Sequence, residues 1–239
     1  MTTTVFPRLI AIACLCLAGP GTAATLAPGQ SVLVPATDAA TTPALNGTPL
    51  TDTSIPLIFA THPAFPKIYT YEDRAVRSDG TGRTLITPQL IYQSNVSASP
   101  FLFDGFTLTG YQGFATDIFY RTDMPGDRGP TTATRSADGD SLTFLFALPL
   151  YLSNLTQGVH ENSYPITILT DGNSYQNTGR GLFFGHDQSN PGVRLEVAVT
   201  GLAVPAIAPV PLPASALMLL AGLAGLAAIR RRKTTGPQD

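Results

Sequence analysis

Val193-Arg194-Leu195-Glu196-Val197-Ala198-Val199 carries an apolar side chain at each odd position, with Arg194 and Glu196 between them. Successive side chains on a strand point to opposite faces, so this heptapeptide reads as a β-strand with one buried and one wet face. Ser189-Asn190-Pro191-Gly192 before it supplies turn formers, and ahead of that Gly181 to Phe184 reads as a partner strand. The same grammar extends toward the N-terminus. Segments rich in aromatic and β-branched residues occur at Ile55 to Ala60, Lys67 to Glu72, Thr84 to Gln93, Phe101 to Thr109, Gly113 to Thr122, Ser141 to Leu148 and Tyr164 to Thr170. They are separated by Ser78-Asp79-Gly80, Met124-Pro125-Gly126, Ala137-Asp138-Gly139-Asp140 and Asp171-Gly172-Asn173. About eight to ten short strands with such turns predict an all-β fold, an antiparallel two-sheet sandwich of jelly-roll-like form. Thr25 to Ser54, rich in Thr, Ala and Pro, reads as a loose lead-in with at most one strand, at Ser31 to Pro35.

Charge and cysteine content narrow what this domain can do. Between Thr25 and Pro209 nine Lys and Arg stand against fifteen Asp and Glu, a net charge of −6. Such a surface repels phosphate backbones, so no nucleic-acid partner is expected. Both cysteines, Cys14 and Cys16, lie in the N-terminal apolar block. A mature domain without them has no disulfide staple, thiolate metal site or cysteine nucleophile, and rests on an ordinary hydrophobic core.

The two ends read as targeting segments. Arg8, the apolar run Leu9 to Ala18 and the small residues Thr22-Ala23-Ala24 have the layout of a secretory signal peptide, residues 1–24, cleaved after Ala23 or Ala24. Its apolar run is too short to cross a hydrocarbon core of about 30 Å. At the other end the domain, residues 25–204, gives way to a Pro-rich linker at 205–213 in which Pro205, Pro209, Pro211 and Pro213 deny both helix and central strand. From Ala203 to Pro213 the chain is therefore expected to be extended and accessible. An uncharged run at 214–229 follows and reads as a single transmembrane helix, short at roughly 24 Å and extended by arginine snorkelling. Arg230-Arg231-Arg232-Lys233 opens a basic cytoplasmic tail, residues 230–239. By the positive-inside rule this cluster holds the preceding domain outside the inner membrane.

Val210-Pro211-Leu212-Pro213-Ala214, followed by an apolar span and an Arg cluster, resembles the VPLPA variant of the PEP-CTERM sorting signal. In that family the signal is recognised by an exosortase, a multi-pass membrane cysteine protease of bacteria that make exopolysaccharide. The resemblance implies an exosortase-type partner, a precursor anchored in the inner membrane with its domain in the periplasm, and delivery to the cell surface or extracellular matrix. Many family tails end sooner than this one, which continues from Thr234 to Asp239. Gly113 to Asp117, Tyr120 to Asp123, Gly129-Pro130 and Arg135 to Asp140 are also similar to ectodomains of PEP-CTERM proteins, which implies a recurring β-domain without any stated chemistry.

Within the domain the candidate sites are few. No G-x-S-x-G elbow occurs, and His62, His160 and His186 are isolated in sequence, so neither a catalytic residue nor a His-based metal site is assigned. Asp138-Gly139-Asp140 and Asp171-Gly172-Asn173 offer hard oxygen ligands of the kind Ca²⁺ takes, although hairpin-turn chemistry explains the same residues and the later ligands of an EF-hand are missing. Glu72, Glu161 and Glu196 are the domain's only glutamates, limiting a paired-carboxylate hydrolase. Tyr69, Tyr71 and Tyr111 could stack on sugars if exposed, though strand aromatics more often form core and tryptophan is absent. The expectation is a non-enzymatic protein of the cell surface or exopolysaccharide matrix, without cofactor or metal. An extracytoplasmic carbohydrate-binding sandwich is the alternative.

Overall fold

The computed structural model describes residues 24–60, 66–95, 99–153 and 159–208. Ala23, Val210 to Ala214, the span at 214–229 and Arg230 to Lys233 lie outside them. The described chain is built of strands with one 3₁₀ turn at Pro43–Leu45. In order these are β1 (Ala24–Thr25), β2 (Ser31–Leu33), β3 (Ala36–Thr37), β4 (Gly47–Phe59), β5 (Lys67–Ser78), β6 (Thr84–Ile86) and β7 (Gln89–Asn95). There follow β8 (Phe101–Thr109), β9 (Thr116–Arg121), β10 (Thr132–Arg135), β11 (Ser141–Leu152), β12 (Ile166–Thr170), β13 (Ser174–Asp187) and β14 (Asn190–Ala206).

They form two sheets. The first has the order β1-β9-β12-β6-β5-β4, with β3 beside β9 and β7 beside β5; the second runs β14-β13-β8-β11-β10-β2. All pairings between these strands are antiparallel except the two-residue pairing of β3 with β9. The expected two-sheet antiparallel architecture is thus present.

Aromatic side chains at alternate positions join the sheets. Phe59 of β4 meets Phe101 of β8 with ring centroids 4.8 Å apart, Tyr69 of β5 meets Phe103 at 5.6 Å, and Tyr71 meets Phe183 of β13 at 4.8 Å. All six rings are at most 1% exposed. Tilted and edge-on pairs of this kind add about 0.5–1.5 kcal/mol each beyond the area they bury. Alternation continues on the first sheet with a difference. Ala75, Ile86, Ile118 and Ile168 face the main core, while their neighbours Val76, Leu85, Phe119 and Leu169 form a second cluster with Leu45. The 3₁₀ turn carrying Leu45 caps that outer face, which is why β6 and β12 read as unbroken buried runs and not as alternating ones.

Several boundaries depart from expectation for identifiable reasons. Thr84 to Gln93 breaks into β6 and β7 around Pro88, whose missing N–H cannot serve a ladder; Thr87 N–H turns to Arg74 O at 2.8 Å. Gly113 to Thr122 shortens to β9 because Tyr111 to Ala115 is loop. β13 is far longer than Gly181 to Phe184, since β8 and β14 flank it on both sides. The hairpin turn is Gln188-Ser189, and Asn190 to Gly192 already belong to β14. The lead-in forms three short strands and the first eight residues of β4, Gly47 to Ser54, where at most one strand is expected, so the strand expected at Ile55 to Ala60 starts at Gly47 and ends at Phe59. The lead-in buries Leu26, Val34 and Leu45. β10 is a four-residue Thr-Ala-Thr-Arg strand, too short for its pattern to stand out in sequence.

The expectation for the stretch after Ala203 is corrected in part. β14 runs to Ala206, past the boundary at 204, and Leu202 to Pro205 are buried rather than accessible. Pro205 is tolerated because β14 is an edge strand. Ile207, by contrast, is 73% exposed. The compact unit ends at Ala206, and a second unit begins at Ile207.

Close approach of strands requires glycine at several positions, Gly105 among them. A Cβ at Gly105 would stand 2.3 Å from Phe144 O and 3.0 Å from Leu145 Cδ2, and a backbone oxygen in a sheet centre cannot move aside. Gly105→Ala should cost about 2 kcal/mol or more through overpacking. Urea titration of the variant against the parent measures this directly.

Candidate functional site

The two Asp-Gly turns that the sequence offers as cation sites, 137–140 and 171–173, meet at one end of the sandwich. They line a cleft of about 470 Å³ together with Leu26, Phe114 and Arg135. Each carboxylate already has a backbone donor. Asp138 Oδ1 accepts from the Ser136 hydroxyl and from Asp140 N–H at 3.1 Å, which hold its carboxyl below the ordinary value. Asp140 Oδ1 accepts Gly110 N–H at 3.1 Å and Asp171 Oδ1 accepts Ala115 N–H at 2.9 Å. Gly139, at φ 76°, occupies the left-handed region that the turn requires. These bonds make the residues turn builders. Among the described residues no group of three or more His, Cys, Asp or Glu is placed to hold a metal ion.

Arg135 occupies the floor of the cleft and is 3% exposed. Its Nε donates to Gly139 O, Nη1 to Leu26 O and Thr116 Oγ1, and Nη2 to Tyr111 O and Phe114 O, at 2.7–3.1 Å. A guanidinium has five N–H groups, and these five contacts use the whole set. Burial lowers its pKa, with the Asp171 charge opposing. No donor remains for an anionic ligand, and a fixed positive charge beside Asp138 and Asp171 works against a bound cation. The cleft is therefore a clamp. What it clamps is the start of the domain: Leu26 O binds Arg135, Leu26 N–H donates to Thr116 O at 2.9 Å, and Ala24 and Thr25 pair with Ile118 and Asp117. Of the two residues that the sequence offers for signal cleavage, Ala24 lies in β1.

Two further buried charges link the sheets. Lys67 of β5, 1% exposed, places Nζ 2.7 and 2.9 Å from the carboxylate oxygens of Asp187 on β13. Asp73 of β5, 3% exposed, accepts Ala203 N–H of β14 through Oδ2 at 2.7 Å. Burial raises the Asp73 pKa to about 6, against the pull of the Ala203 bond. The buried hydroxyls of Tyr71 and Tyr111 lie within reach of its charge, which together with burial raises both phenols.

The remaining sequence candidates do not converge. His160 stacks on Tyr92 at 3.9 Å, and His186 Nδ1 meets Asp104 Oδ2 at 2.7 Å; His62 lies outside the described residues. Glu72 accepts the Ser54 hydroxyl, Glu161 pairs with Arg128 and accepts Tyr151 N–H, and Glu196 pairs with Arg194. Three glutamates with three separate sets of partners do not form a facing pair. Tyr69, Tyr71 and Tyr111 are wholly buried, so none of them is a surface for sugar stacking. The sequence marks none of Arg135, Lys67 and Asp73 as a site residue: Arg135 opens the stretch to Asp140 whose resemblance carries no stated chemistry, and Lys67 stands out as the sole lysine between Thr25 and Pro209.

Comparison with protein-family models, with curated proteins and with solved structures gives no match.

The raised Asp73 pKa has a definite sign. The folded chain holds this proton more tightly than the unfolded chain, so the group's stabilising contribution is full below pH 4 and is lost as pH rises through about 6. Asp73→Asn, which keeps an acceptor for Ala203 N–H, should raise the melting temperature at pH 7.5 by a few degrees, equivalent to at most about 3 kcal/mol. That advantage should vanish near pH 4 in paired thermal melts. Arg135→Lys has three donors for five acceptors and should lose about 3 kcal/mol in urea titration. Loss of protection at the Leu26 amide in hydrogen exchange should accompany it.

Proposed function

We propose that this chain is an exported, non-enzymatic protein of the cell surface or exopolysaccharide matrix, sorted through its C-terminal tail by an exosortase-type membrane protease. The carrying observation is the ordered tail: Val210-Pro211-Leu212-Pro213-Ala214, then an uncharged run, then Arg230-Arg231-Arg232-Lys233. Prolines at 209, 211 and 213 disfavour helix across the motif, which suits a protease cleft that takes extended backbone. The basic cluster sets orientation and the apolar run gives temporary anchorage.

Two features of the domain support this reading. Its buried charges, Arg135, Lys67 and Asp73, are each engaged by the fold. Its last strand stops at Ala206, so Ile207 to Pro209 separate the compact unit from the motif. Cleavage between Val210 and Ala214 would then leave the domain whole. At the other end, removal of the leader after Ala23 would leave Ala24 and Thr25 to pair with β9.

Mass spectrometry of envelope-associated protein should find one terminus at Ala24 or Thr25 and the other between Val210 and Ala214. In cells lacking the exosortase the basic tail should persist. An intact Arg230 to Lys233 segment on all surface-located protein would overturn the proposal.

A further inference from the structure

β14 is the edge of the second sheet, and β13 is its strand partner among the described residues. Its last residues are covered: Ala203 N–H is taken by Asp73, and Leu202 to Pro205 are buried. The preceding stretch differs. Val193 to Thr200 contains no proline or glycine, and along it the even-numbered residues are exposed while Leu195, Val197 and Val199 are half-buried against the core. Other edges of this fold are blunted. β2, at the far side of the same sheet, has three residues, and β4, at the edge of the first sheet, carries Pro49 and Pro56. An uninterrupted edge is a template for another strand.

The residues along this edge say which strand. Opposed residues of an antiparallel pair share a face, so a two-fold pairing of β14 with itself must be centred on a residue and not between two. Centred on Leu195, it sets Arg194 of each copy opposite Glu196 of the other, twice, and Val193 opposite Val197, twice. Moving the centre one residue toward the N-terminus opposes Arg194 to Arg194. Moving it one residue the other way opposes Glu196 to Glu196. One register is thus charge-complementary and its immediate neighbours are penalised. Within one copy Arg194 Nε lies 2.7 Å from Glu196 Oε1, both side chains being about half exposed, and the guanidinium stacks over the Phe184 ring at 3.8 Å, which holds it on the same face as Glu196, where a partner's Glu196 can reach it. On the core face, Val193 at 45% exposed would gain apolar cover from the partner's Val197.

The geometry points to a homodimer in which two copies join edge to edge through Val193 to Val197 of β14, centred on Leu195. The two six-stranded sheets become one continuous sheet. Because the contact is isologous and, among the described residues, uses the one long unblunted edge, it closes at two copies. This inference is independent of the tail's function.

Sedimentation of the full chain in mild detergent, over about a hundredfold range of concentration, tests it with a charge-reversal series. The parent chain should dimerise. Arg194→Glu and Glu196→Arg, each of which opposes like charges twice, should weaken dimerisation by about tenfold or more. The double variant Arg194→Glu/Glu196→Arg restores opposite charges across the two-fold axis and should return to within about threefold of the parent. All four chains carry the same tail, so association through it would be equal in all. A parent that stays monomeric throughout, single variants that associate like the parent, or a double variant as weak as the singles with an unchanged far-ultraviolet spectrum would each overturn the proposal.

Discussion

Everything in this domain depends on the meeting of two sheets across an aromatic layer without a covalent staple. Phe59, Tyr69 and Tyr71 on one side and Phe101, Phe103 and Phe183 on the other supply area and fixed packing angles. No cysteine occurs between Thr25 and Pro209, so no cross-link reduces the entropy of the unfolded chain. Sheet-to-sheet register must then come from directional contacts, and buried charges provide it. Lys67 to Asp187 and Asp73 to Ala203 N–H both cross from β5 to the second sheet. A buried pair gains little net stability, because desolvation offsets most of the attraction. Its effect is on choice: any slip of β5 that parted Lys67 from Asp187 would strand a charge in an apolar interior.

Arg135 solves a related problem at the chain's start. β1 has two residues and β2 has three, too few to hold by their own ladder bonds. One guanidinium joins Leu26 O to Thr116, Tyr111, Phe114 and Gly139, so that the lead-in, the loop before β9 and the turn before β11 share a single centre. The Asp-Gly turns belong to the same arrangement, since Asp140 and Asp171 take the N–H groups of Gly110 and Ala115. Residues that in isolation suggest a calcium loop are here spent on holding loops together.

Strand content and sheet class were legible because period-two alternation survives wherever one face is wet, as from Leu195 to Val199. The long strands of the core, β5, β8 and β11, were located for the same reason. Legibility failed where alternation is overridden. β6 and β12 are buried on both faces, so no alternation of wet and dry positions runs along them. β10 has two strand-favouring threonines, but at four residues, with one alanine and one arginine, it is too short to show a pattern, and β11 and β2 on either side hold it as a strand. The clamp was invisible for a different reason: its five acceptors are carbonyls and a hydroxyl scattered from Leu26 to Gly139, and backbone carbonyls have no letter in a sequence. Pro205 shows the converse error, a breaker whose effect an edge position cancels.

β14 is unequal along its length, and this inequality sets how the domain would answer a pull. A chain held at its C-terminal side receives tension at Ala206, where Asn173 N–H binds Ala206 O, Asp73 binds Ala203 N–H, and Leu202 to Pro205 are buried. Separation from that end must break the most enclosed contacts first, whereas the stretch toward Asn190, held by the β13 ladder and three half-buried side chains, would part with less resistance from the other direction. The strand is therefore a directional fastener: firm against traction from its C-terminal side and weak against unzipping from the hairpin.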